Sequence, residues 1–278
     1  MKKAIRNLAR DMALTGLAFQ TKLPAAKAVF KKPRVQFLYI HHVFDHEVKK
    51  FDELMNELSR HHTFISYSDA VNRILTNEID KPYIAISSDD GYKNNLNAAK
   101  ILDQYNAKGC FFITPDTIGL SDPEKNKKFC REKLNFPPTE FLEWNDVDDL
   151  LKNGHEIGSH SMAHINIGAT DLNEVEENIN QSFEMIKSKI GGVEHFAYPY
   201  GLFSDFNNDA LKMVFKVGFK TCASAERGCH ISEENIDPAN LLLRRDLVIC
   251  EWDLNHIMYF VYNASKNCSL RNNLNPYQ

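Results

Sequence analysis

Ile84-Ala85-Ile86-Ser87-Ser88-Asp89-Asp90-Gly91-Tyr92 is an apolar run that stops on two adjacent carboxylates and a glycine. Such a run reads as a buried strand with charge at its C-terminal tip, the place where α/β folds build active sites. Taken alone, Asp-Asp-Gly is also a common turn sequence. The residues on either side decide which reading fits.

Upstream, residues 35–40 (VQFLYI) form a second apolar, β-prone run that ends at His41-His42. A helix is expected over 47–60, where Phe51, Leu54, Met55 and Leu58 recur at spacings of three and four. Downstream the alternation continues: helix 94–105, strand 110–114, helix 145–152 and strand 156–158. The clearest helix is 172–190, with Asp171 and Glu174 placed as a capping box, an apolar stripe through Val175, Ile179, Phe183, Ile186 and Ile190, and a stop at Gly191-Gly192. Strand 195–198, helix 209–217, strand 219–223, one strand over 241–248 and a closing helix over 253–262 complete the series. Strands alternating with helices imply a parallel sheet, and about seven such units in about 230 residues favour one closed or nearly closed barrel over 35–262. A segment 1–34 precedes it and a tail 263–278 follows. Residues 115–141, with Pro123, Pro137, Pro138 and little periodicity, read as a long inserted loop.

The composition is that of a globular protein: 278 residues, 43% hydrophobic and 25% charged, with a formal net charge of -4. Disordered and fibrous classes fall away, and the acidic balance gives no electrostatic reason to expect nucleic acid. The charge is unevenly spread, since residues 1–34 carry nine Lys and Arg against the single acid Asp11. Apolar stretches such as 12–19 are too short to span a bilayer, and Arg10 and Asp11 interrupt what a signal peptide would need as its apolar region. If 3–19 is helical, Ile5, Leu8, Ala9, Met12 and Phe19 lie near one face, with Lys2, Lys3, Arg6 and Arg10 mostly elsewhere. A helix of that kind either packs on the barrel or lies on an anionic membrane surface. Six cysteines without a CxxC pair read as free thiols of a reducing compartment, so a cytoplasmic protein is expected, with peripheral contact at the inner membrane through residues 1–30.

A second constellation is His160-Ser161-Met162-Ala163-His164. Two histidines four apart would converge on one point across a helical or helix-like turn, as in many metal sites, although such a pair is equally common in a core or on a surface. The HExxH motif is absent, because His155-Glu156 is followed by His160 at a spacing of five. Joined to a carboxylate, two imidazoles make a facial triad with open coordination positions. Successive side chains on a strand diverge, so of Asp89 and Asp90 one would ligate and the other act as a base on water.

At this point the chain resembles a family. Ser87-Ser88-Asp89-Asp90-Gly91 looks like the T-F-D-D-G motif of the polysaccharide deacetylases with a NodB homology domain, carbohydrate esterase family 4. His160 to His164 is similar to the H-[ST]-x-x-H motif, and Phe196-Ala197-Tyr198-Pro199-Tyr200-Gly201 resembles the third motif in the F-A-Y-P-Y-G form of one branch. Residues 37–43 (FLYIHHV) resemble that branch's Y-H-x-V strand, and the likeness covers about residues 35 to 250. The resemblance implies a distorted (β/α)₇ barrel and a divalent metal, zinc first, with cobalt, manganese or nickel also suited to the donor set. It further implies Asp90, His160 and His164 as ligands, Asp89 as the general base and the Tyr200 backbone N–H as an oxyanion donor. The substrate implied is an N-acetylated sugar or oligosaccharide of bacterial surface polysaccharide or lipopolysaccharide synthesis. Deformylation or another amide hydrolysis on a lipid- or nucleotide-linked sugar is the second reading, and a non-catalytic carbohydrate-binding descendant the third.

Three departures stand out. Ser88 replaces the usual Phe. Ala197 stands where many members carry an Arg that orients the base, and Arg244, or its neighbour Arg245, is expected to supply that charge. The acid that protonates the leaving amine stays open between His41 or His42 at the tip of the first strand and the His256 of Leu254-Asn255-His256, which matches the letters of the family's Leu-x-His motif.

Overall fold

The structure is a computed structural model that describes residues 2–232, 237–268 and 276–277, with side chains from residue 10 onward. Helices α1 (Lys2–Ala18) and α2 (Pro24–Phe30) lead into β1 (Arg34–Ile40), followed by α3 (Val48–Ser59), β2 (Thr63–Phe64), α4 (Tyr67–Thr76), β3 (Pro82–Ser88), α5 (Asn95–Gln104) and β4 (Cys110–Ile113). Then come α6 (Pro123–Glu132), α7 (Trp144–Lys152), β5 (Glu156–Ser159), α8 (Leu172–Ile190), β6 (His195–Ala197), α9 (Asn208–Val217), β7 (Thr221–Ala223), β8 (Leu242–Leu243), β9 (Arg245–Leu247) and α10 (Leu254–Lys266).

Among the described residues the strands pair in the order β8-β7-β6-β5-β4-β3-β1-β9, with β2 beside β3 and every ladder parallel. The two edges of this sheet, β8 and β9, are consecutive in the chain and separated by Arg244 alone. That crossing turns the sheet into a nearly closed barrel. It also corrects the single strand expected over 241–248: Leu243 pairs with Ala223 and Arg245 with Phe37, so one apolar run serves both ends of the sheet.

All seven residues of β1 are buried, because both faces of the sheet are covered. One set of side chains fills the interior: Val35, Phe37, Ala85, Phe112, Ala197, Ala223 and Leu243, with Tyr67, Ala70, Val71 and Ile74 of α4 packed against them. The alternate set, including Leu38, Ile40, Ile84, Ile86, Phe111, Ile113 and Phe196, packs against the surrounding helices. Truncating one of the fully buried rings, Phe112→Ala for instance, costs about 3–5 kcal/mol.

Residues 115–141 are not the plain loop expected. Asp122 accepts from the backbone N–H groups of Glu124 and Lys125 with Pro123 in the first turn, which starts α6 as a capped helix. Cys130 on α6 then buries against Tyr92 and Phe141, with Phe136 and Leu134 packed beside them. At the other end of the chain, α1 lies along α10, where Thr15 Oγ1 sits 3.1 Å from His256 Nε2 and Ala18 is buried. Ala26 and Phe30 of α2 enter the main core. The side chains of Ile5, Leu8 and Ala9 lie outside the described set, as does half of the expected tail, whose start at 263 falls within α10. No helix of the described residues is long and apolar enough to cross a membrane.

The expectation of six free thiols also changes: Cys229 and Cys268 lie as a disulfide pair with Cα atoms 5.3 Å apart. Cys110, Cys130, Cys222 and Cys250 are free and buried.

Candidate active site

The residues singled out by their motifs follow directly on strand ends. His41 and His42 come after β1, Asp89 and Asp90 after β3, His160 after β5 and Tyr198 to Gly201 after β6. Parallel strands put all these ends on one face. The local backbone is unusual there. Among the described residues, the non-glycine residues with positive φ are three asparagines, Asn77, Asn106 and Asn135, and four site residues: Asp90 (71°), Ser161 (62°), His164 (49°) and Tyr200 (65°). Asparagine adopts this region readily. The other four are held there by their surroundings, at about 1–3 kcal/mol each. The histidine pair therefore does not converge through a helical turn, as its spacing suggested. Left-handed residues at Ser161 and His164 fold the loop back, and the two rings meet with centroids 5.1 Å apart.

Asp90 Oδ1 lies 3.5 Å from His160 Nε2 and 3.4 Å from His164 Nε2, and all three side chains are buried. His160 Nδ1–H donates to the Ala197 carbonyl at 2.7 Å, so Nε2 carries a lone pair. Burial, opposed only in part by Asp89 and Asp90, holds His160 down at about 4, and the ring is neutral. Burial also opposes ionisation of Asp90, yet the approach of His164 and the charge of His41 more than offset it, and its carboxyl stays below the usual range. Asp90 Oδ1 and His164 Nδ1 have no hydrogen-bond partner among the described residues. A lone pair thus faces a carboxylate with no proton to join them. The 3.4–3.5 Å separations match the roughly 3.3–3.4 Å edge of a tetrahedron built on metal–ligand bonds of about 2.0–2.1 Å. These donors fit a divalent cation.

Asp89 has a different partner. Arg245 clamps it through two parallel bonds, Nη1 to Oδ1 at 2.7 Å and Nη2 to Oδ2 at 2.8 Å. The guanidinium is wholly buried between the rings of Tyr39 and Phe112, at 4.5 and 5.1 Å from their centroids, and its Nε donates to the Ser224 carbonyl at 3.0 Å. Burial alone would raise Asp89. The Arg245 charge outweighs it, leaving the carboxylate below its ordinary value and ionised. Arg244, the choice for this role on sequence grounds, is not the partner. Successive strand side chains point to opposite sides, and the Arg244 guanidinium lies over Phe203, 5.1 Å from the ring centroid. Ala197 is buried in the barrel interior, and the charge its position would carry in many relatives arrives instead from β9.

A cavity of about 300 Å³ opens on these groups, lined by Tyr39, His41, His42, Asp89, Asp90, Tyr92, His160, His164, Tyr198 and Tyr200, with Lys133 and Phe136 from the inserted segment. The Tyr198 hydroxyl is buried without a hydrogen-bond partner among the described residues. The Tyr200 hydroxyl reaches across to donate to the Lys133 carbonyl at 3.2 Å. His42 Nδ1 is 3.0 Å from Oε2 of the buried Glu47, which also accepts from the Phe44 N–H. His256 lies on α10 against Thr15, outside the cavity. Sequence reasoning missed Glu47, Lys133 and Phe136; only the Asp122-Pro123 cap signalled that the inserted segment had structure to contribute.

A parallel barrel whose strand tips bring a clamped carboxylate beside an Asp-His-His donor set defines a hydrolase site. Residues 76–222, more than half of the chain, match the polysaccharide deacetylase family, and the chain belongs to that family. Its members are hydrolases acting on amide carbon–nitrogen bonds of acetylated sugars, and this protein is such an enzyme. Among solved structures, the Streptococcus pyogenes deacetylase PplD in complex with acetate superposes with a TM-score of 0.65 at 15% identity, covering 82% of this chain and 98% of that one. IcaB from Ammonifex degensii gives 0.64 at 14% identity, over 85% and 98%. The BpsB deacetylase domain from Bordetella bronchiseptica gives 0.61 at 17%, over 78% and 96%. At these identities the likeness is one of fold. No curated protein matches the sequence.

Proposed function

We propose that this protein is a metal-dependent deacetylase, with zinc as the metal, that removes the N-acetyl group of an aminosugar in a glycan or glycan precursor of bacterial surface polysaccharide, lipopolysaccharide included. The observation that carries the reading is Asp90 Oδ1 within 3.5 Å of two imidazole nitrogens, next to an aspartate fixed by a buried arginine. Held by Asp90, His160 and His164, the metal supplies Lewis acidity to the acyl carbonyl and to water.

The remaining steps belong to the chain's own residues. Asp89 takes the proton of the attacking water; Arg245 keeps it ionised and fixes its orientation. The water oxygen bonds to the acyl carbon, and the Tyr200 backbone N–H, turned by its left-handed φ, stabilises the oxyanion that develops. The carbon–nitrogen bond then breaks, and His41 donates a proton to the departing amine. His41 lines the cavity and lies close enough for its charge to act on both Asp89 and Asp90. His42 is engaged by Glu47. Acetate and a free amine leave.

The test is release of acetate and amine from an acetylated aminosugar oligomer by the zinc-loaded protein. Asp89→Asn is expected to slow turnover about 10²–10⁴-fold with metal content unchanged. Near-normal turnover by that variant overturns the assignment of the base.

A further inference from the structure

Outside the cavity, one surface stands apart. Nine large hydrophobic side chains are exposed among the described residues, and four of them, Met12 (69%), Leu17 (39%), Phe19 (62%) and Leu23 (43%), fall between residues 12 and 23. Tyr200 and Leu202 sit at or next to the cavity; Leu75 is on α4, and Leu172 and Met185 lie thirteen residues apart on α8. Met12 and Phe19 are not a face left over from packing. Helix α1 meets α10 with Thr15 and Ala18, whereas Met12, Gly16 and Phe19, spaced four and three apart, share another side that is exposed. In the sequence, Ile5, Leu8 and Ala9 continue that period.

The segment that follows is basic, with Lys22 and Lys27 lining a surface cavity beside Glu57. Lys22, Lys27, Lys31 and Lys32 are all exposed, and none has an ion-pair partner among the described residues. The lone acid of the segment, Asp11, is paired with Arg10. An exposed apolar side followed along the chain by exposed lysines, on a helix too short and too polar to span, is the arrangement of an element that lies in a membrane interface. A second copy of the chain is a poor occupant, because a two-fold contact sets the same patch against itself and would bring the lysines together.

We infer that α1 and the following segment to Lys32 dock the enzyme on an anionic lipid bilayer, with Met12 and Phe19 in the acyl boundary and exposed lysines of the segment against the headgroups. The barrel then sits at the surface where a lipid-linked or membrane-associated glycan would be presented. The docking does not depend on the deacetylase reading, since it is measured without catalysis.

The experiment is co-sedimentation of the full chain with vesicles of phosphatidylcholine alone, or with about a quarter phosphatidylglycerol, at about 0.1 M salt. Binding to the anionic vesicles and little to the neutral ones is expected. Met12→Glu with Phe19→Glu should lower partitioning at least about tenfold, and Lys27→Glu with Lys31→Glu about fivefold per lysine. Both pairs of sites are exposed, so thermal unfolding and turnover of a soluble acetylated aminosugar should stay unchanged. Absence of vesicle binding, equal binding to neutral lipid, or a dimer abolished by the Met12 and Phe19 changes with no vesicle binding each overturns the inference.

Discussion

Two histidines are buried at opposite ends of the same barrel. His62 lies by the first residue of β1, Arg34, and His160 lies past the last residue of β5. Each donates from Nδ1 to a backbone carbonyl, His62 to Leu58 at 3.1 Å and His160 to Ala197 at 2.7 Å. Burial drives both below the ordinary imidazole range, to about 3 and about 4, so each is neutral and offers a lone pair at Nε2. What meets that lone pair differs. His62 receives the Arg34 guanidinium at 2.6 Å, a donor that cannot give up its charge. His160 meets the Asp90 carboxylate at 3.5 Å, an acceptor. At the lower end the chain completes its own hydrogen bonding, and the result is structure. At the upper end the His160 lone pair meets a carboxylate with no donor between them, and that is what marks a ligand set rather than a buried polar network.

The largest expected effect breaks the upper end. His160→Ala or Asp90→Asn should abolish stoichiometric zinc binding, measured by elemental analysis, and reduce acetate release by about 10³-fold or more. Folding should survive, because the backbone carbonyl left behind at Ala197 is a smaller loss than a stranded charge. Full metal occupancy in either variant would remove the distinction between the two histidines. A smaller effect sharpens it. Arg245→Met leaves Asp89 buried without its counter-charge and should cost about 3–5 kcal/mol in denaturant unfolding. Arg244→Met, one residue away, should leave the Asp89 clamp intact and cost less than Arg245→Met, since the Arg244 guanidinium lies over the Phe203 ring and not on Asp89. Equal losses for the two arginines would mean that the Asp89 clamp is not the source of the difference.

Most of the barrel could be read from the chain because strands buried on both faces leave continuous apolar runs, and because α3 and α8 bury regular stripes, Phe51 to Leu58 and Val175 to Ile186. Spacing pointed to His160 and His164 and the family resemblance added Asp90; the three side chains do lie together, though through left-handed loop residues rather than the helical turn that spacing suggested. The choice between Arg244 and Arg245 was not legible, since it depends on where a run of apolar and basic residues leaves one sheet edge for the other. A break of that kind is set by barrel closure, a property of all the strands together. The inserted segment hid its helix for the opposite reason: α6 buries only Cys130, so it has no stripe to read, and its cap is the one local signal.

The smallest effect concerns the lower end. The His62 ring is neutral in the fold down to about 3, while in the unfolded chain it takes up a proton near 6.5. Between those values the unfolded state binds more protons than the folded state, so stability is fully present above the upper value and falls as pH drops toward the lower one. Burial is the main cause and the Arg34 charge adds to it, because a protonated ring would face a guanidinium at hydrogen-bond distance. His62→Gln keeps an acceptor near Arg34 but cannot titrate. Its stability curve should therefore diverge from the wild type below about pH 6.5, by at most about 1.4 kcal/mol per pH unit for one proton. Carboxylates titrate alike in both proteins and cancel in the difference. Parallel curves through that interval would show that the fold does not hold His62 neutral, and the lower end of the barrel would then no longer be the completed counterpart of the site above it.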